Sequence, residues 1–254
     1  MSYAVTTVAP DGIVMAADSA TSILTMVDIK NLLGGNLEAA IKNNLGGKMK
    51  YGPDDVINSR IISRSSPKLC VMKDNNIAIA NCNESKTRNT GESIIPYLEY
   101  FTRKNYYDNP RACAEDLLNF FQGIDPSMGA IFHVCGYNPE GIIPVPEFWY
   151  VNVAGNKAEK IAGHMQYGIC FCGANGYFSQ YKAEIDKNLI HLTLQDAVDI
   201  TIFAVEMSMK LERFIKMTEH IAPPIDLLVI TQKGVEWIQK KTLKVQGGEY
   251  VNIR

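Results

Sequence analysis

The first eighteen residues constrain this chain more than any other stretch. Tyr3 to Ala9 and Ile13 to Ala17 are apolar runs on either side of Pro10-Asp11-Gly12. Proline presets φ at the first turn position and glycine supplies conformations closed to other residues, so the triplet predicts a tight hairpin. A turn centred near Pro10 and Asp11 pairs residues whose numbers add to about 21. Asp18 then returns opposite Ser2 and Tyr3, which delivers a carboxylate beside the start of the chain.

Further along, Lys68–Met72 and Ile77–Ala80 read as a second hairpin across the polar turn Lys73–Asn76. Two helices follow. One starts near Thr90 and carries Ile94, Ile95 and Leu98, with Pro96 in its first turns. The other has Asn109 as N-cap, Pro110 at its first position, and Ala114, Leu117, Leu118 and Phe121 on one face. Strands return at Ala130–Tyr137, Glu147–Val153 and Ile169–Cys172, broken by turns at 138–141 and 154–156. A long helix from about Thr193 to Thr218 opens on a Thr193/Asp196 capping pair. Strands at Ile225–Thr231 and Val235–Gln239 come after Pro223-Pro224. Strands, helices, strands, helix, strands is an α+β order that suits two sheets between helix layers better than a parallel wind. The segment 23–66 fits none of this. Its echoes, Asn31–Asn36 and Asn44–Lys48, each hold a Gly-Gly pair around an alanine-rich stretch of helical character, and it reads as an insertion in one domain spanning 1–254.

A net charge of −2 and scattered Lys and Arg give no reason to expect nucleic acid as a partner. Apolar runs fall short of the ~20 residues that span a bilayer, and the start lacks a basic n-region, so neither membrane nor export is expected. The six cysteines lie in apolar stretches without a C-x-x-C pair, and His133, His164, His191 and His220 show no ligand spacing. The expectation is reduced core thiols in a cytoplasmic protein, with no metal and no cofactor.

The chemistry concentrates at Ser2. Loss of Met1 would leave it with a free α-amine of reference pKa about 7.7–8.0, so that part of it is neutral near pH 7 and able to accept a proton. One residue could then serve as nucleophile and general base.

Ser2-Tyr3-Ala4-Val5 followed by Asp11–Ser19 resembles the opening of proteasome β-subunits, in which an aspartate lies sixteen positions after the terminal nucleophile, as Asp18 does after Ser2. Thr6 and Thr7 are too close to Asp18 for that role and would lie mid-strand. Ser66-Pro67-Lys68 with Asp74–Ala80 is similar to the family's second hairpin. Gly136-Tyr137, Cys172–Gly176, Leu192–Ala197 and Pro223–Ile230 match later elements in order, and the start and the last run look closest to the ancestral bacterial β-subunit (Anbu) group. The resemblance to these N-terminal-nucleophile (Ntn) hydrolases implies a four-layer αββα sandwich. It implies that Lys68 is a buried ammonium beside the nucleophile, that Asp18 holds it, and that the backbone N–H near Asn83 serves as oxyanion donor. Departures stand at Ala20, where the family has arginine, at Asn83, where it has glycine, and at Ala174, where it has serine. Glu212 supplies a carboxylate on the long helix, or forms an ordinary surface pair with Lys216.

With the resemblance, these residues imply hydrolysis of an amide bond in a peptide or protein substrate by a homo-oligomer, with any partner ATPase left open. A non-catalytic assembly subunit and a transpeptidase or amide ligase on the same fold are the alternatives.

Overall fold

The structure is a computed structural model that describes residues 3–26, 57–63, 66–140, 142–161, 167–173, 178–215, 221–241, 243–244 and 250–251. Strands β1 (Ala4–Ala9) and β2 (Gly12–Asp18) form the leading hairpin, and every pair from Ala4↔Ala17 to Ala9↔Gly12 adds to 21. Gly12 is required by close approach, since a Cβ there would sit 2.9 Å from the Ile230 carbonyl. The hairpin is central in a five-stranded antiparallel sheet of order β10-β1-β2-β11-β12, completed by β10 (Gly168–Cys172), β11 (Ile225–Thr231) and β12 (Gly234–Gln239).

A second antiparallel sheet has the order β5-β6-β7-β8-β9, with β5 (Leu69–Val71), β6 (Ile77–Asn83), β7 (Ala130–Asn138), β8 (Val145–Asn152) and β9 (Lys157–Lys160). Its helices are α1 (Ile95–Lys104) and α2 (Pro110–Ile124). The first sheet has α3 (Lys182–Asn188) and α4 (Leu194–Ile215). The fold is thus mixed α+β with two antiparallel sheets. No helix among the described residues is long and apolar enough to cross a membrane.

Strand parity sorts the core into three parts. Val5, Val14, Ala16, Leu227 and Val229 pack with Ala197, Ala204 and Val205 of α4. Ile77, Ile79, Phe132, Val134 and Val151 pack with Leu98 and Phe101 of α1 and Leu117 and Phe121 of α2. The opposite faces of the two sheets meet through Ala4, Val8, Ile13, Met15, Leu69, Ala78, Ala80, Phe148 and Leu228. Side chains alternate across a strand, so one run of buried residues feeds two cores at once.

Local signals act where sequence placed them. The Asn109 side chain accepts from Ala112 N at 2.9 Å. Thr193 and Asp196 cap reciprocally, with the Asp196 carboxylate accepting from Thr193 N at 2.9 Å and Thr193 Oγ1 accepting from Asp196 N at 3.3 Å. The first helix starts at Ile95 rather than near Thr90. Pro96 fits only the opening turn, and residues 86–93 close their own loop through a Lys86↔Ser93 bridge with Gly91 at φ +72°. The ends of the 23–66 segment, expected to be an insertion, pair as strands β3 (Thr21–Met26) and β4 (Ile57–Ser63). Its alanine-rich stretch and both Gly-Gly pairs lie outside the described residues.

The expectation of six reduced thiols is corrected at two positions. Cys82 of β6 and Cys172 of β10 project from facing sheets into the shared core and are joined as a disulfide, with Cα atoms 5.9 Å apart. Their ninety-residue separation hid the pairing. Cys70, Cys113, Cys135 and Cys170 are free.

His133 sits in the same inter-sheet core, fully buried, its Nδ1 2.9 Å from Thr6 Oγ1. Burial pushes its pKa from 6.5 down to about 3. The unfolded chain therefore takes up a proton that the folded chain refuses between these values, and stability falls as pH drops through that window. Between pH 6.5 and 5, above the range of ordinary carboxylates, the loss is expected to reach about 2 kcal/mol. Urea unfolding at a series of pH values should show this slope in the native protein and a flatter one in His133→Asn.

Candidate active site

Asp18 ends β2 with its carboxylate fully buried. A buried charge is tolerated when each lone pair finds a donor, and here four donors converge. Oδ1 accepts from Tyr3 N at 3.0 Å and from the Lys68 ammonium. Oδ2 accepts from Ala20 N at 3.0 Å and Ala222 N at 3.3 Å. The hairpin supplies the first contact automatically, because Asp18 N also reaches Tyr3 O at 3.3 Å as the last rung of the ladder.

Lys68 precedes β5, is 1% exposed, and is anchored through its carbonyl, which accepts from Asn81 N at 2.7 Å. Burial lowers its pKa and outweighs Asp18, which raises it, while nearby Lys241 lowers it further. The ammonium gives up its proton more readily than a surface lysine, yet stays bonded to a carboxylate.

Around this pair lies a second one. Lys241 Nζ bonds Asp226 Oδ2 at 2.5 Å, Ser66 O at 2.7 Å and Ser19 Oγ at 2.9 Å. Asp226 Oδ1 accepts from Lys241 N at 2.8 Å. Helix α4 contributes from behind. Glu212 is fully buried and its Oε2 accepts from Ile221 N at 2.9 Å, one residue before the Ala222 that donates to Asp18. Ser208, one turn earlier, bonds the Tyr3 hydroxyl at 3.0 Å. Tyr3 is itself fully buried, and burial raises its phenol to about 12. The helix thus fixes both the residue after Ser2 and the turn that supports Asp18.

Of the residues expected from sequence, Asp18 and Lys68 are brought together. Asn83 ends β6 at φ +69°, two residues beyond Asn81, and its side chain donates to Gly129 O at 2.7 Å. Ser2 and Ala174 lie outside the described residues. Thr6 and Thr7 are mid-strand and buried, bonded to His133 and Thr201. The surface-pair reading of Glu212 is corrected by its burial. Sequence reasoning missed Lys241, Ser208 and the role of Asp226. Only Asp226 carried a signal, as an acid inside an otherwise apolar strand run.

Three residues without ligand spacing, Cys82, His133 and Cys172, also meet, with donor atoms within 4.8 Å of one another. Bonded to each other, the two sulfurs carry no thiolate charge to hold a metal ion.

Beside Lys68 opens a cavity of about 200 Å³, bounded among others by Thr21, Ser66, Asn81, Ser93 and Ile95. A buried ion pair with a cavity against it and the Tyr3 peptide nitrogen held at its carboxylate is the kind of arrangement in which functional groups concentrate.

No family model matches the chain, and no curated protein matches it.

Removing one member of the Asp18–Lys68 pair strands the other. Asp18→Asn keeps the shape but turns an acceptor into a donor among four donors, and is expected to cost ~3–5 kcal/mol in denaturant unfolding. Lys68→Met, which leaves Asp18 with three backbone N–H groups, is expected to cost less.

Proposed function

We propose that this protein is a proteasome-like Ntn hydrolase that cleaves amide bonds of peptides or proteins from a free Ser2. The carrying observation is that Asp18 Oδ1 binds both Tyr3 N and the Lys68 ammonium. The peptide nitrogen bonded to residue 2 is thereby tethered to the same oxygen as a buried cation. The helix-packed sheets with a shared inner core support the corresponding fold reading, a four-layer αββα sandwich in a single domain with an insertion.

In this reading the Ser2 α-amine takes the hydroxyl proton as Oγ attacks the substrate carbonyl. The positive charge of Lys68 keeps that amine from holding a proton too tightly and lowers the cost of negative charge at Oγ. The tetrahedral oxyanion is stabilised by backbone N–H donation near Asn83, whose positive φ orients its peptide unlike its strand neighbours. Collapse expels the amine half of the substrate, which leaves with the proton. Water then attacks the seryl ester, giving its proton to the α-amine, and the acid half departs with Ser2 restored. Asp18 takes no proton, and positions Lys68 and the Tyr3 peptide.

Incubation with a β-lactone or epoxyketone, followed by peptide mapping, is expected to place the adduct on Ser2 in protein whose intact mass shows a free Ser2 amine. Ser2→Ala should abolish turnover and keep the unfolding midpoint. An adduct elsewhere with Ser2 free and unmodified overturns the reading. The same reading includes assembly of several copies, so sedimentation is expected to show a species well above the 28.2 kDa of one chain.

A further inference from the structure

The cavity beside Lys68 is bordered by a polar side chain that is buried without partners. Asn81 is fully buried, and neither the oxygen nor the nitrogen of its carboxamide has a hydrogen-bond partner. Four of its neighbours on the wall are committed elsewhere. Thr21 and Ser66 bond each other, Lys68 bonds Asp18, and Ser93 Oγ accepts from Ile95 N. A buried carboxamide without partners is costly, so a ligand group that satisfies it gains the whole of that cost.

The chemistry of the complement follows from the inventory of donors. Asn81 presents a free acceptor and a free donor side by side. Another carboxamide presents a donor and an acceptor in the matching order. A carboxylate has only acceptors and leaves Asn81 Oδ1 unpaired. An alkyl chain leaves both atoms unpaired. About 200 Å³ holds one side chain of this size, while Pro67 and Ile95 offer apolar surface to its methylenes. Asn81 is sealed from solvent, so a wall side chain must shift to admit the ligand.

We propose that this cavity receives a glutamine or asparagine side chain next to the cleaved bond, with Asn81 as the residue that determines specificity. The proposal rests on the hydrolase reading for its placement, because Lys68 forms part of both the cavity wall and the site. A site built to pair a buried polar group rejects analogues that lack the complement far more strongly than an apolar pocket rejects a changed methylene.

The test uses two quenched fluorescent peptide series, one varied on each side of the scissile bond, with glutamine, glutamate or methionine at the variable position. In one series, kcat/KM for glutamine is expected to exceed that for methionine by about tenfold or more, and Asn81→Leu is expected to erase the difference. Labelling of Ser2 by a β-lactone checks that this variant retains its site, and Asn81→Asp, which replaces the NH2 donor by an acceptor oxygen, serves if the leucine variant does not fold. A glutamine-to-methionine ratio that survives both substitutions overturns the proposal. So does a glutamate preference abolished by Lys86→Ala, the exposed lysine on the same wall. Binding is followed separately in Ser2→Ala, by the NMR shift of the Asn81 side-chain amide on addition of N-acetylglutamine methylamide. Saturable binding without turnover in the native protein keeps the pocket and overturns the hydrolase reading. Turnover without glutamine preference does the reverse, and absence of both binding and preference overturns the pocket.

Discussion

The carboxylate of Asp18 is the contact on which the rest of this architecture depends. Four donors reach it from four separate places in the chain: Tyr3 just before β1, Ala20 just after β2, Lys68 before β5, and Ala222 before β11. Three are backbone groups, so their positions are set by strand register rather than by side-chain rotamers. A cluster of this kind cannot be built by adjusting one residue. It requires the leading hairpin, the entry to the second sheet and the turn after α4 to arrive together. An unpaired carboxylate at this depth would cost several kcal/mol, which ties the site's electrostatics to the packing of both sheets.

That packing explains why the ion pair can be so dry. The inner faces of the two sheets carry alanine at Ala4, Ala17, Ala78 and Ala80 beside larger residues such as Met15 and Phe148. Small side chains let the sheets approach, and the outer faces take the larger apolar load against α1, α2 and α4. The Cys82–Cys172 bond crosses the same space one residue from Asn83 on one sheet and directly opposite Ala4 on the other. Both of its strands end at the candidate site. The covalent link and the carboxylate cluster therefore constrain one corner of the molecule from two sides.

How much of this could be read from sequence follows from the range of each interaction. The register of β1 with β2 was legible because a tight turn converts sequence position into spatial pairing by arithmetic, and the arithmetic carried Asp18 to Tyr3. Caps at Asn109 and Thr193 were legible because they act within a turn of helix. The roots of the 23–66 segment were not, since Thr21–Met26 pairs with Ile57–Ser63 across a long gap with no turn signal to fix it. Lys241 looked like one of two adjacent lysines at a strand end, and only its reach to Asp226, Ser66 and Ser19 sets it apart. Glu212 had an i+4 lysine, which left a solvated pair and a carboxylate of the long helix as equal readings. Burial of a helix face, which period alone does not assign to a single acidic residue, decided between them. His133, Cys82 and Cys172 share no local spacing because three different strands deliver them.

The unpaired polar groups complete the physical picture, because they are not equivalent. His133 Nε2 and the Asn81 carboxamide are both buried without partners. His133 is held at Nδ1 by Thr6 and lies tilted against Phe148 with ring centroids 4.8 Å apart, and it does not line the cavity beside Lys68. It avoids much of its cost by staying neutral, as the downward push on its pKa requires. Asn81 has no such escape, since an amide does not titrate. Its strand register is sound, with Phe132 opposite it on β7 and its own N–H on the Lys68 carbonyl. A leucine would fill the same place without leaving two groups unpaired. Where local rules of burial fail while the surrounding geometry stays regular, the failure marks a place whose partner comes from outside the chain. At Asn81 that place borders a cavity, and the cavity borders the buried ammonium of Lys68.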